Sequence, residues 1–369
     1  MELIKIDGDY KEGGGQIIRT ALALSALTQK PFEIDNVRKG RKEPGLKSQH
    51  LYCIKAAQEL CSAEVEGAEL GSDQIKFIPG RLKNKNKTLS IDIGTAGSIT
   101  LFLQSVMLPC MLAEGKANIS VKGGTDVKWS MPVDYFSEIL LPQLRRYSDI
   151  DFKLNKRGYY PKGNGMIEIK ISPKFNIERI KDKVEEAPKI ELVEQGNLMQ
   201  IKGISHCSAS LESAKVAERQ SQSAQYALKK MGIEEDVSVN IRTEICETLS
   251  DGSGITLWAI FSKDKDDIDS RNPIRIGSDS LGERGKKAEE VGKEAAERLL
   301  KEISHGAPVD EYLADNLIPF LGLFGGKIKV AKISDHTLTN IYVVEKFLDV
   351  KFEINEENKM ISVKVLQGI

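Results

Sequence analysis

The feature that most constrains this chain is an outline that recurs three times, because a repeated small unit dictates both the fold and its internal symmetry. Strand LIKIDG passes through GGGQ into helix QIIRTALALSAL, then strand FEIDNV, helix LKSQHLYCIKAAQELC and strand QIKFIP. A second copy runs from LSIDIG through GTAGS into ITLFLQSVMLPCML, then ANISVKG, PVDYFSEILLPQLRR, DIDFKL and GMIEIKI. The third has helix EYLADNLIPFLGL, strand KIKVAKI, a turn SDHTLTN, helix NIYVVEKFL and strands DVKFEI and MISVKV. Helical segments place apolar residues three and four apart, as at Leu51, Ile54, Ala57 and Cys61, whereas the strands alternate or run β-branched. Each copy reads as βαβαββ. One sheet under two helices cannot cover both its faces, so the copies are expected to pack on one another.

The second and third copies lie more than twice as far apart as the first two, so something is inserted between them. The insert is expected at 183–273, opening at the charged KDKVEEAPK and closing at the polar SKDKDDIDSRNP, with its own helix LESAKVAERQSQSAQYALKKM. The expected organisation is an α/β (α+β) fold: repeats one and two over 1–182, a small inserted α/β domain, and a third repeat over 274–369 completing the main domain.

With 29% charged and 40% hydrophobic residues, the 369-residue chain reads as soluble and globular. A net charge of −1 excludes a general basic field for long nucleic acid, so any such contact is local. Five cysteines without CxxC spacing argue against a disulfide framework or a cysteine-built zinc site and suit a reducing cytoplasm. MELIKIDGDY lacks the apolar core of a signal peptide, and Ile99–Ala113 is too short and interrupted to span a bilayer. No membrane association is expected.

HExxH, GxSxG and GxxxxGK[ST] are missing. GSDSLGER, at 277–284, has glycines at phosphate-loop spacing but no lysine, and reads as a loop. EGGGQIIR, at 12–19, is more informative: its glycines permit a sharp turn that exposes amides ahead of a helix, where phosphate binds well. Arg19 opposes the dipole of that helix, which suggests a function, although an arginine reaching back to Asp7 or Glu12 would look the same. Arg38, Lys39, Arg41, Lys42 and Lys47 crowd before a helix carrying Gln49 and His50; they make either an anion site or a solvated loop. His336 stands at a helix entrance, where the dipole disfavours imidazolium. His206 reads as a surface or capping residue and His305 as a C-terminal cap. Spacing alone leaves a structural role open for His50 and His336.

EGGGQIIRTALALSAL, RKGRKEPGLKSQH, IGTAGSITLFLQ, LGERGKKAEEVGKEAA, GAPVDEYLADNL and HTLTNI, in this order, resemble the RNA 3′-terminal phosphate cyclases across nearly the whole chain. The resemblance implies three βαβαββ repeats with an insert ahead of the third. It implies a ligase reaction in RNA processing in which a histidine takes AMP from ATP, passes it to an RNA 3′-phosphate, and the 2′-hydroxyl closes a 2′,3′-cyclic phosphate. His336 then corresponds to the nucleophile, and Glu12 to the acid associated with ATP and with Mg2+ or Mn2+. Arg19, Gln49, Gln104, Pro132 and the run Tyr312, Leu313, Ala314, Asp315 and Asn316 correspond to the ATP-binding set, with Asp315 a candidate to orient His336. Arg38, Arg41 and His50 correspond to the RNA phosphate site. The family's segment usually ends in Gln, whereas the shorter Asn316 stands here. Three other readings compete: a ribosome-biogenesis branch of the same fold that lacks the histidine, an enolpyruvyl transferase of similar repeats, and an enzyme that adenylates RNA ends without cyclising them. A homodimer is compatible with the sequence, which does not fix the oligomeric state.

Overall fold

Sheet topology carries the recurrence. The computed structural model describes residues 2–82, 87–175, 187–234, 236–264 and 272–365. In the first repeat, β1 (Ile4–Asp7), β2 (Phe32–Asp35), β3 (Glu64–Glu66) and β4 (Ile75–Ile78) form a sheet in the order β1-β2-β4-β3. β1 and β2 are parallel and the other pairs antiparallel, with α1 (Gln16–Thr28) and α2 (Ser48–Cys61) as crossovers. The second repeat repeats this arrangement with β5 (Lys87–Asp92), β6 (Ala117–Gly123), β7 (Ser148–Lys156) and β8 (Gly165–Pro173) in the order β5-β6-β8-β7. Its first helix is α3 (Ile99–Leu112); its second is built from α4 (Val133–Tyr135), a π turn (Phe136–Leu140) and α5 (Leu141–Leu144).

β9 (Ile190–Leu192) precedes the insert, whose sheet is β10 (Asn197–Ser208), β11 (Ser238–Cys246), β12 (Ser253–Ser262) and β13 (Ile274–Leu281) in the order β11-β10-β12-β13. Helices α6 (Val216–Lys230) and α7 (Ala288–Ser304) pack together on that sheet. They approach so closely at Gly292 that a Cβ there would stand 2.0 Å from the Gln220 carbonyl oxygen. The third repeat follows with α8 (Glu311–Phe324), β14 (Gly326–Lys329), α9 (Asp335–Phe347), β15 (Val350–Asn355) and β16 (Met360–Val365). Its sheet order, β15-β16-β14-β9, matches the other two only because β9 supplies the parallel first strand.

Two strands therefore lie across the expected bounds. The insert does not precede the third repeat; it interrupts it after β9. Residues 274–281, expected in the third repeat, pair with β12 and complete the inserted sheet. Residues 183–186 and 265–271, where the charged joints were expected, lie outside the described residues. Composition marks where a chain is polar, but an edge strand of three residues gives periodicity nothing to act on.

α1 explains how the repeats assemble. Every residue from Gln16 to Leu27 is buried, the signature of a central helix rather than an amphipathic surface one. It packs on α3 of the second repeat and α9 of the third. Tyr147 of the second repeat stacks on Phe324 and Phe320 of the third, with centroids 4.0 and 5.6 Å apart, which closes the far side of the core. All five cysteines are free, and among the described residues no helix is long and apolar enough to cross a membrane.

The inserted sheet is fastened to the second repeat by a buried ionic cluster. Arg157 lies 2.9 Å from Asp134, 3.3 Å from Asp126 and 2.8 Å from Glu244 of β11. His206 of β10 is fully buried there, not at the surface as expected: Nδ1 shares a hydrogen bond with the Tyr159 hydroxyl at 2.7 Å, and Nε2 stands 3.4 Å from Asp126 Oδ1. Removing one member of a buried ionic group strands the rest without compensation. Arg157→Met is therefore expected to lower stability by about 3–5 kcal/mol, read as a lower urea midpoint.

Candidate active site

The site forms where the entrances of α1 and α9 meet. α1 starts from the glycine run: Gly13 is left-handed at φ +55° and Gly15 occupies the N-cap position. A Cβ on Gly15 would stand 2.2 Å from His50 Nε2, so only glycine lets α2's histidine lie against the turn. α9 begins at Asp335, five residues earlier than the apolar pattern suggests, because Ser334 caps it by accepting from Thr337 N at 3.1 Å. His336 is thus in the first turn, with its backbone and ring both facing Gln16.

Gln16 fixes that ring. Its amide nitrogen donates to the His336 carbonyl oxygen at 3.4 Å, and its Oε1 makes a short contact with His336 Nδ1. A carbonyl can only accept, so the amide NH2 faces it and Oε1 faces the ring. Nδ1 then carries the hydrogen and Nε2 holds the lone pair. The side chain is half exposed, and its pKa is lowered from 6.5, first by burial and then by Arg19 and Arg41. His336 therefore presents a neutral nitrogen with an uncommitted lone pair.

Arg19 is the charge at the centre. It is 8% exposed inside the buried helix, and Nε donates to Gln104 Oε1 at 2.8 Å. Gln104 Nε2 donates to Asn316 Oδ1 at 2.9 Å, so one polar chain links α1, α3 and α8, one helix from each repeat. Arg19 reaches neither Asp7 nor Glu12; among the described residues no carboxylate lies within ion-pair distance, and the rest of its fork is uncommitted. Burial lowers its pKa to about 10, which leaves it charged at neutral pH. Thr20 beside it donates to Asn340 Oδ1 at 2.6 Å, and Asn340 holds the Asp315 carbonyl at 2.6 Å.

His50 is 1% exposed, and burial with the cations Arg19, Arg38 and Lys47 lowers its pKa to about 3, so it is neutral. Nδ1 accepts from Lys47 N at 2.9 Å, which leaves the hydrogen on Nε2, buried, without a partner and directed over Gly15. Glu12 pairs with Arg41 through Oε1, while its buried Oε2 has no hydrogen-bond partner and lies 3.8 Å from His336 Nδ1. A hard carboxylate oxygen left open beside an anion site suits Mg2+ or Mn2+, ions that take most of their ligands from water and phosphate. A second group of donor atoms, on Asp126, Asp134 and His206, lies within 4.8 Å of one another, but Arg157 already supplies positive charge there.

Glu12, Arg19, Arg41, His50, Gln104, Asn316 and His336 are thus gathered around the two helix entrances. Tyr312, half exposed, meets Tyr135 edge-on at 6.1 Å, and buried Pro132 starts the helix carrying Tyr135, so both flank the site one step out. Gln49 is partly buried with its Cβ 3.9 Å from where Gly97 would place one. Arg38 instead donates to the Glu43 and Gly45 carbonyls at 2.9 Å and organises its own loop. Leu313 and Ala314 are wholly buried, and their backbone N–H groups are taken by Asp310 at 2.9 and 3.1 Å, so neither faces a ligand directly. Asp315 makes no hydrogen bond to His336; burial pushes its carboxyl up to about 8, and it lines a cavity of about 50 Å³ with Thr20, Gln104 and Asn316. Gln16 was missed by sequence reasoning, although its place as the first residue after the glycines was a usable signal.

Three helix-layered sheets around a cationic cleft, with a neutral histidine at its edge, define a class: a repeat-built α/β protein that handles a phosphorylated ligand. The family model for RNA 3′-terminal phosphate cyclase matches residues 10–354. The curated RNA 3′-terminal phosphate cyclases of Pyrococcus furiosus and Pyrococcus abyssi are 44% and 42% identical, covering 95% and 100% of both chains. That of Ignicoccus hospitalis is 41% identical over 100% of this chain and 99% of its own. The chain belongs to the RNA 3′-terminal phosphate cyclase family.

Gly15→Ala is expected to cost about 1–3 kcal/mol by overpacking against His50. The double variant with His50→Ala should recover most of that loss, a coupling that a thermal-denaturation cycle measures.

Proposed function

We propose that the protein converts an RNA 3′-phosphate to a 2′,3′-cyclic phosphodiester at the expense of ATP, with His336 as the nucleophile. One observation carries this reading: the half-exposed ring is anchored through Nδ1–H by Gln16, which leaves the Nε2 lone pair uncommitted, near a buried Arg19 that has no carboxylate partner among the described residues. Nε2 attacks the α-phosphorus of ATP, the Nε2–P bond forms, and the bond to pyrophosphate breaks. Positive charge then develops on the imidazole, and Gln16 Oε1 stabilises it through Nδ1–H. An oxygen of the RNA 3′-phosphate displaces the histidine, giving an adenylylated end. The neighbouring 2′-hydroxyl attacks that phosphate and AMP leaves.

Dividing the transfer through a covalent intermediate replaces a poor leaving group with a good one. The final step is intramolecular, so this chain's part is to hold charge rather than to collect reactants. Arg19 and the His50 Nε2–H supply donors for phosphate oxygens, and the half-exposed Tyr312 offers a face to the adenine, with Pro132 starting the helix that carries its ring partner Tyr135. A divalent ion at Glu12 would neutralise phosphate charge. Among the competing readings, the branch lacking the histidine gives no account of a ring positioned in this way.

Incubation with α-labelled ATP and metal should give an acid-labile, alkali-stable protein label that His336→Ala abolishes; full labelling in that variant would place the nucleophile elsewhere. Because the folded-state pKa of His336 lies below 6.5, the neutral form persists as pH falls. The labelling rate should therefore reach half its plateau below pH 6.5, and a midpoint above that value would contradict the assignment. RNA ending in 3′-phosphate should release AMP and gain a phosphatase-resistant cyclic end, whereas a 2′-deoxy 3′-phosphate should stop at the adenylylated end and release no AMP.

A further inference from the structure

The loop that delivers Pro132 and Tyr135 to the site also carries Trp129, which is 94% exposed, the most exposed large apolar side chain among the described residues. Its backbone is left-handed at φ +61°, a strained conformation for a bulky residue. Val127 and Met131 on either side are buried, and the Ser130 hydroxyl donates to the Val127 carbonyl at 2.9 Å, so the turn is fixed and the indole projects alone. A single ring among polar neighbours is no contiguous patch for a protein partner. Its two faces suit a nucleobase.

A second loop meets it. Lys128 pairs with Glu283 at 2.9 Å and fastens Trp129's loop to residues 282–287, GERGKK, which lead into α7. Arg284 there is exposed, with no ion pair or hydrogen bond among the described residues. Gly285, at φ +87°, has nothing within 4 Å of where a Cβ would stand, so the backbone beside that arginine is open. Gly282, which opens this loop, is the second glycine of the motif that resembles a phosphate loop without its lysine. An indole for a base and a free guanidinium for a phosphate are the two parts of a single-strand binding surface. Trp129 stands three residues from Pro132, which the chain can span in at most about 11 Å.

We propose that Trp129 and Arg284 form a docking track for single-stranded RNA on the 5′ side of its terminal phosphate, the indole stacking on one base and the guanidinium meeting one backbone phosphate. The track deepens the cyclase reading and rests on it for the direction of the strand. It also reconciles an RNA substrate with a net charge of −1, since the cations needed are local.

Tryptophan emission tests binding apart from chemistry, because the other tryptophan, Trp258, is 5% exposed in the core. A 3′-hydroxyl RNA of about ten nucleotides, within the site size of one single-strand module, should quench the wild type and leave Trp129→Phe emission unchanged. With 3′-phosphorylated RNA of that length, Trp129→Ala should raise KM roughly 5- to 100-fold at unchanged kcat, the worth of one stacked base. Trp129→Phe should restore most of the loss, and Arg284→Gln should reduce the salt slope of log K by about 0.7. Tyr226→Ala, altering an exposed ring on α6, serves as the control. An unquenched wild type, or a KM for long RNA that Trp129→Ala leaves unchanged, would overturn the track. Failure of the wild type to cyclise any RNA would instead sink the cyclase reading, while quenching would still decide the track.

Discussion

A guanidinium enclosed by three helices is the constraint on which the rest of this structure turns. Arg19 lies within a helix buried on every side, and its single link to the protein's own polar groups runs through Gln104 to Asn316. Desolvating a cation without a carboxylate partner is costly, and a stability argument alone would favour an apolar residue there. The cost becomes intelligible if the partner is an anion brought from outside. The polar chain then has two duties: it keeps the guanidinium aimed at the cleft, and it makes the site depend on all three repeats being in register.

The same logic orders the histidines. Two neutral imidazoles flank the arginine, and their tautomers are opposite because their partners are. His50 accepts a backbone N–H at Nδ1 and so offers a donor; His336 gives its Nδ1 hydrogen to Gln16 and so offers a lone pair. One ring is suited to holding an oxygen, the other to attacking phosphorus. Neither assignment depends on residue type alone, since what sets it is the group opposite each Nδ1.

Much of this was legible beforehand. Helices such as α1 and α3 are long and strongly apolar, and the glycine run and the histidine turn mark helix entrances. The family resemblance, more than periodicity, singled out His336 from the four histidines. What stayed hidden depended on pairing between distant segments. Ile190–Leu192 is too short to announce itself, so the third repeat seemed to lack its first strand. His206 looked superficial because its partners, Asp126 and Tyr159, come from loops of the second repeat, distant in sequence. Gln16 is an ordinary helix-starting residue until α9 is placed against it. Arg38 read as a phosphate ligand, yet its loop turns left-handed at φ +55° and directs the guanidinium onto its own carbonyls.

The interruption of the third repeat bears on how the chain reaches its native state. β9 emerges before the insert but finds β14 only after the whole inserted sheet has passed. Parallel pairing across so long a loop is slow, because closure entropy is lost before any contact compensates for it. The first two repeats can close locally, and the inserted sheet can condense by itself. The last sheet is thus the late event, and with it arrives Asn316, the far end of the chain of amides that steadies Arg19. An incompletely folded molecule would lack an ordered cleft, and the proposed adenylation would begin only when the carboxy-terminal unit seats.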